Sequence, residues 1–166
     1  MIPEFHLRGW QRIPEVEIVA LVDQSRERAE DRRRQFEPRA RIHDSLDALF
    51  ASEATLDFVD ILTPPRLHRE HCLRAAEAGA HIICQKPLCD RLEDARSLVE
   101  ALRDYHRLFL VHENHPYRPW FRDMLNRHRD GFFGRPRFLQ LVQHDAHEPP
   151  ERFTSPNQFP GPMLSW

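Results

Sequence analysis

Apolar residues in this chain fall into two recurring patterns: short unbroken runs, and stretches where they return every three or four positions. Glu17-Ile-Val-Ala-Leu-Val22 is a run of the first kind, which suits a strand buried on both faces. Asp57-Phe-Val-Asp-Ile-Leu62, Ala80-His-Ile-Ile-Cys84 and Arg107-Leu-Phe-Leu-Val111 repeat it. Between them lie segments of the second kind. Ser25 to Phe36 is charged and helical, and Ser45 to Ala51 is a short helix with Leu46, Leu49 and Phe50 on one side. Thr63-Pro-Pro65 stops the second run. Leu67 to Ala78 predicts a helix closed by Gly79. Asp90-Arg-Leu-Glu93 has the form of a capping box. The helix it opens carries Leu92, Ala95, Leu98, Val99, Leu102 and Tyr105 at helical spacing.

Strands alternating with helices imply βαβ units: an α/β fold with a parallel sheet covered on both faces. In such folds ligands sit at the carboxyl ends of the strands. Here those ends carry Asp23, Thr63 to Pro65, Gln85 to Pro87 and His112 to His115. The character changes near residue 113, which predicts a first domain over 1–112 and the beginning of a second over 113–166. In the second, Tyr117 to Arg129 reads as a helix, Gly131 to Gly134 as a turn and Arg137 to Gln143 as a long strand. The tail from Glu148 is proline-rich.

Composition narrows the chemistry. All but one of the 24 basic residues are arginines, and the exception is Lys86 on the predicted ligand-binding edge. An ammonium can give up its proton when its surroundings demand it, whereas a guanidinium effectively cannot. The net charge of −2 argues against an electrostatic nucleic-acid binder. No apolar run approaches a membrane span. Three cysteines without framework spacing fit a reduced, cytoplasmic setting. The histidine pairs His68/His71 and His144/His147 lack a cysteine cluster or an HExxH pattern, so no metal site is expected.

A dinucleotide-binding unit places an acidic residue at the end of its second strand, about 20 residues after a glycine-rich turn. Asp23 is the candidate, and counting back runs off the start of the chain. No GxGxxG is present among its five glycines. Phe5 to Trp10 reads as the helix before that strand, so the chain is expected to begin inside the first βα turn, with Pro3 at the third glycine position.

Thr63-Pro64, then His68, a helix ending at Ala78-Gly79, and His81-Ile-Ile-Cys84-Gln85-Lys86-Pro87-Leu88 together resemble the Gfo/Idh/MocA oxidoreductases, from about residue 4 to about 145. The resemblance implies a Rossmann-type sheet lacking its first strand, followed by the start of an α+β substrate domain. It also implies an oxidoreductase moving hydride between nicotinamide and a sugar, polyol or related hydroxyl or carbonyl compound. The cofactor would be NAD, with NADP open because Arg26 stands near Asp23. Asp23 would hold the adenosine ribose, Thr63, Pro64 and His68 would border the cofactor, and Gln85, Lys86 and Pro87 would line it. Lys86 would be the catalytic proton-transfer group, its pKa lowered by burial and by the oxidised nicotinamide. The peptide bond before Pro87 is a candidate for cis. Asn114 and Arg118 would meet substrate at the crossover into the second domain.

Three departures stand out. Gln85 replaces the family glutamate, the glycine turn is absent, and the second-domain Asp and His of the family would lie past Trp166. The chain alone is therefore expected to be inactive, and the full-length protein to be a homo-oligomer. Plainer readings stay open: His68 bonding a carbonyl at a helix start, Asp23 capping the next helix, and Arg118 in a surface ion pair. At the level of function the alternatives are a non-catalytic dinucleotide- or sugar-sensing regulator of the same fold, and an unrelated flavodoxin-like module.

Overall fold

The computed structural model describes residues 2–53, 55–140 and 142. They form two compact units, 1–111 and 112–166. The first unit runs α1 (Ile2–Trp10), β1 (Ala20–Val22), α2 (Arg26–Phe36), β2 (Arg41–His43), α3 (Leu46–Ser52), β3 (Phe58–Ile61), α4 (Pro65–Glu77), β4 (His81–Gln85), α5 (Leu92–Ala101) and β5 (Phe109–His112), the last ending at the unit boundary. The fold is α/β, as the alternation of patterns predicts.

The strands form two sheets among the described residues. β1 pairs in parallel with β2, Leu21 opposite Ile42. The other sheet has the order β3-β4-β5, with β3 and β4 parallel and Asp60 opposite Ile83. β2 has no counterpart in the sequence reading. Its three residues, Arg41-Ile-His43, hold one apolar side chain, too little to show a period.

The main core lies between the three-stranded sheet and helices α4 and α5. Ile61, Cys72, Ala75, Ile82, Cys84 and Leu98 are its buried members. Helix α1 packs against both sheets' surroundings. Its Trp10 ring lies 5.0 Å from that of Phe58 on β3, and its Glu4 pairs with Arg32 of α2 at 3.0 Å.

Local signals explain most boundaries. Ser25 and Ser45 cap α2 and α3, their hydroxyls accepting from the Arg28 and Ala48 amides at 3.3 Å. α4 begins at Pro65 rather than Leu67, because a proline in the first helical position costs no hydrogen bond. It ends in a Schellman turn. Gly79, at φ 74°, donates to Ala76, and Ala80 donates to Ala75. The capping box at Asp90 does not form: α5 starts one residue later, with Arg91 in the cap position and no side-chain cap.

The second unit contains a 3-10 turn (His115–Tyr117) and α6 (Pro119–Arg129). The helix expected from Tyr117 is thus divided by Pro119, which opens α6. Gly131 and Gly134 adopt positive φ in the turn that follows. Residues 137–140 and 142 form no strand, against expectation. Phe138 and Leu139 are exposed, and no partner strand supplies a ladder there among the described residues. His144, His147 and the proline-rich tail lie outside the described residues.

Candidate active site

Two loops leave the carboxyl ends of neighbouring parallel strands. Thr63-Pro64 follows β3, and Lys86-Pro87 follows β4. The Lys86–Pro87 peptide bond is cis. Lys86 is exposed on its loop, while Gln85 before it is 9% exposed. The burial expected of Lys86 is therefore absent in this chain.

His68 joins the two loops from beneath. It lies on the first turn of α4 and is completely buried. Its Nε2 meets the Thr63 carbonyl at 2.7 Å. Its Nδ1 meets the Pro87 and Leu88 carbonyls at 3.0 and 3.1 Å. His68 has no exposed surface, and its ring nitrogens meet the backbones of the two loops.

The ring's surroundings also set its charge. Carbonyl oxygens only accept, and a neutral imidazole has one N–H for two such sites. Burial opposes the charged ring most strongly. Hydrogen bonds to Cys84 and to the Thr63 and Pro87 carbonyls outweigh it, and His68 is held above its ordinary pKa. The Cys84 thiol is itself pushed far up, first by its hydrogen bond with Cys72 and then by burial. It remains a thiol beside the ring. Neighbouring His71 behaves oppositely: burial lowers its pKa, and its Nδ1 lies 3.0 Å from the Thr63 hydroxyl.

Gln85 is anchored on the other side. Its Oε1 accepts from the Lys86 amide at 2.8 Å, and its Nε2 lies 3.0 Å from Nε2 of His6 on α1. The Nδ1 of His6 reaches Asp60 Oδ2 at 2.8 Å, and the Trp10 indole donates to the same oxygen at 2.7 Å. Asp60 stands within β3 on the face that carries Phe58, opposite the core-facing Val59 and Ile61. Sequence reading passed over His6 and Asp60. The available signals were an acid inside an apolar strand run, which needs a partner, and donors four apart at His6 and Trp10 on one helix face.

Asp23 follows β1. Its carboxylate accepts from the Ser25 amide at 2.8 Å and from Arg28 at 2.7 and 3.2 Å. Burial raises its pKa, but the Arg28 and Ser25 hydrogen bonds prevail and the group is lowered. The cationic neighbour of Asp23 is thus Arg28. Arg26 points to Glu30 instead, at 3.8 Å. Asn114 and Arg118 lie in the second unit. Asn114 leads the 3-10 turn, its carbonyl accepting from Tyr117, and Arg118 is exposed in the cap position of α6. Arg118 makes no ion pair among the described residues.

Two βα loops at one sheet edge, an exposed lysine and a fixed carboxylate after β1 are a nucleotide-type arrangement. The family model for oxidoreductases with an NAD-binding Rossmann fold matches residues 1–113. The chain belongs to the Gfo/Idh/MocA oxidoreductase family. Among curated proteins it is similar to D-apiose dehydrogenase of Paraburkholderia graminis, 38% identical over 131 residues, covering 79% of this chain and 34% of that protein. A levoglucosan dehydrogenase solved with NADH and levoglucosan superposes with a TM-score of 0.65 at 28% identity, over 71% of this chain and 31% of that one. The WlbA dehydrogenase of Bordetella pertussis, solved with NADH and UDP-GlcNAcA, shares the fold at TM-score 0.74 and 24% identity, over 81% of this chain and 40% of that one. The chain spans about a third of the length of the apiose dehydrogenase it matches.

The residues present fit part of a dinucleotide. Asp23 offers a carboxylate after β1, and the loops at Thr63 and Lys86 offer an open edge. Among the described residues no glycine-rich strand-to-helix turn receives a pyrophosphate: Gly9 lies in α1, Gly79 follows α4, and Gly131 and Gly134 lie in the second unit.

Proposed function

We propose that this chain is the nicotinamide-side portion of an NAD-dependent oxidoreductase acting on a hydroxyl-bearing carbon of a sugar or polyol. Bound nicotinamide supplies the hydride acceptor or donor. Lys86, exposed after β4, takes up or returns the hydroxyl proton at Nζ. Gln85 and Pro87 set the course of its backbone. Thr63 and Pro64 border the same edge, and His68 ties both loops together. Asp23 holds the adenosine ribose by accepting from its hydroxyls, which favours NAD. Arg28 beside it offers a guanidinium that a 2′-phosphate would attract, so NADP use depends on whether that guanidinium leaves Asp23. Asn114 and Arg118 are offered as substrate-side groups of the second unit.

The observation that carries this reading is the exposed ammonium of Lys86 at the carboxyl edge of a parallel sheet whose two neighbouring loops are bonded by a buried histidine. It is tested by expressing the gene with whatever coding sequence flanks this chain and following NADH formation across a panel of sugars and polyols. Turnover of at least one supports the reading. Tight NADH binding with no turnover across the panel would favour a sensor of the same fold.

A further inference from the structure

The hydrogen-bond directions around Gln85 can be fixed without seeing a hydrogen. A backbone N–H only donates, so the Gln85 atom facing the Lys86 amide at 2.8 Å is the carbonyl Oε1. Its Nε2 therefore faces His6 Nε2, at 3.0 Å, and is the donor there. The His6 Nε2 must then carry a lone pair, which leaves the ring hydrogen on Nδ1, directed at Asp60 Oδ2 at 2.8 Å. Trp10 donates to that oxygen too, at 2.7 Å, consistent with an ionised carboxylate. The run Asp60, His6, Gln85, Lys86 amide is ordered end to end, each link fixing the next.

We propose that Asp60, His6 and Gln85 form a positioning relay that orients the Lys86 loop, and that it opens when His6 takes a second proton. This rests on the reading of Lys86 given above, since positioning matters to function only if Lys86 does. Protonation places an N–H on His6 Nε2 against the Gln85 NH2, two donors face to face. The amide must turn or withdraw, and the Oε1 that holds the Lys86 amide goes with it. Among the described residues, Asp60 from β3 meets the ring at Nδ1. On the ring's own helix Glu4 is paired with Arg32 of α2. A glutamate at position 85 behaves differently: its carboxylate accepts from a protonated His6 and from the Lys86 amide together. Glutamine at 85 thus makes the relay depend on a neutral ring, and glutamate would make it depend on a charged one.

The test uses the chain itself. Nitrogen NMR reads the His6 tautomer, and amide hydrogen exchange reads the Lys86 N–H through a pH titration. The relay predicts a bare Nε2 on His6 when the ring is neutral. It also predicts that Lys86 amide protection falls at least about tenfold as the ring protonates. In Gln85→Glu, Lys86 protection should persist as the ring protonates, because the carboxylate accepts from both donors. His6→Phe, which keeps a ring in place, should lose the pH step in protection. A hydrogen on Nε2 of the neutral ring, or Lys86 protection indifferent to His6 protonation, would overturn the relay. Neither readout needs turnover. If the relay holds and no hydroxyl substrate is oxidised, the proposed function has failed and the relay has not.

Discussion

Replacing His68 with alanine tests how the two loops are held. The side chain is completely buried and bonds three backbone carbonyls, those of Thr63, Pro87 and Leu88. At a net value of about 1 kcal/mol for each bond, the loss is about 3 kcal/mol before any cost of the space left behind. For a chain of 166 residues that lowers the thermal midpoint by roughly 6–12 °C. The pH dependence is more diagnostic. His68 is held above its ordinary value of 6.5, against the pull of burial, by its bonds to Cys84 and the Thr63 and Pro87 carbonyls. A histidine whose folded pKa is raised gives stability that is full below its unfolded pKa. That stability drains away as pH rises through the folded value. The difference in midpoint between parent and His68→Ala should therefore be largest below pH 6.5 and shrink as pH rises. His71, whose lowered pKa works in the opposite sense, is present in both proteins and largely cancels. Melting curves by circular dichroism across that range decide the matter. A gap that is constant, or that widens upward, would refute the charged, doubly bonded ring.

Other outcomes follow from the same contacts. Arg28→Ala should let the Asp23 carboxyl titrate closer to its ordinary value of 3.8, because burial then opposes only the Ser25 hydrogen bond and more distant charge; carbon NMR of the carboxyl reads it. Since Asp23 is lowered in the folded state, its stabilising share is present above pH 3.8 and lost as pH falls through the folded value, and Arg28→Ala should weaken that acid dependence. Gly79→Ala should cost about 1 kcal/mol in urea denaturation, because the Schellman turn needs its φ of 74°. Asp23→Ala, in the protein expressed with its flanking sequence, should raise the dissociation constant for NADH several-fold while leaving the melting midpoint within a few degrees; an unchanged constant would remove Asp23 from the ribose site.

The strand ends were legible because apolar runs and the prolines after them mark where each strand must stop. Those stops alone put Lys86, Thr63 and Asp23 on one kind of edge. The positions of His68 and Gln85 were legible as members of a motif, but their work was not. A histidine three residues into a helix says nothing about which carbonyls lie under its ring, since those of Pro87 and Leu88 come from a loop 19 and 20 residues away. The pairing of His6 with Asp60 was hidden for the same reason, the two being 54 residues apart and brought together by packing of α1 on β3. β2 escaped because three residues cannot display a period, and the misplaced cap at Asp90 shows that a correct local signature yields to the path the chain takes before it. Residues 137–140 and 142 of the predicted strand form none, and no partner strand meets them among the described residues.

The central claim is that Lys86 moves the proton while hydride moves at the neighbouring carbon. It is tested most directly by the turnover number of Lys86→Met, which keeps the length of the side chain and removes its ammonium. The measurement is made in the protein expressed with its flanking sequence, beside the parent, with NADH affinity taken on the same samples. The account predicts a turnover number lower by roughly 100- to 10,000-fold, with NADH affinity within a few-fold of the parent. A variant that turns over at the parental rate would contradict it.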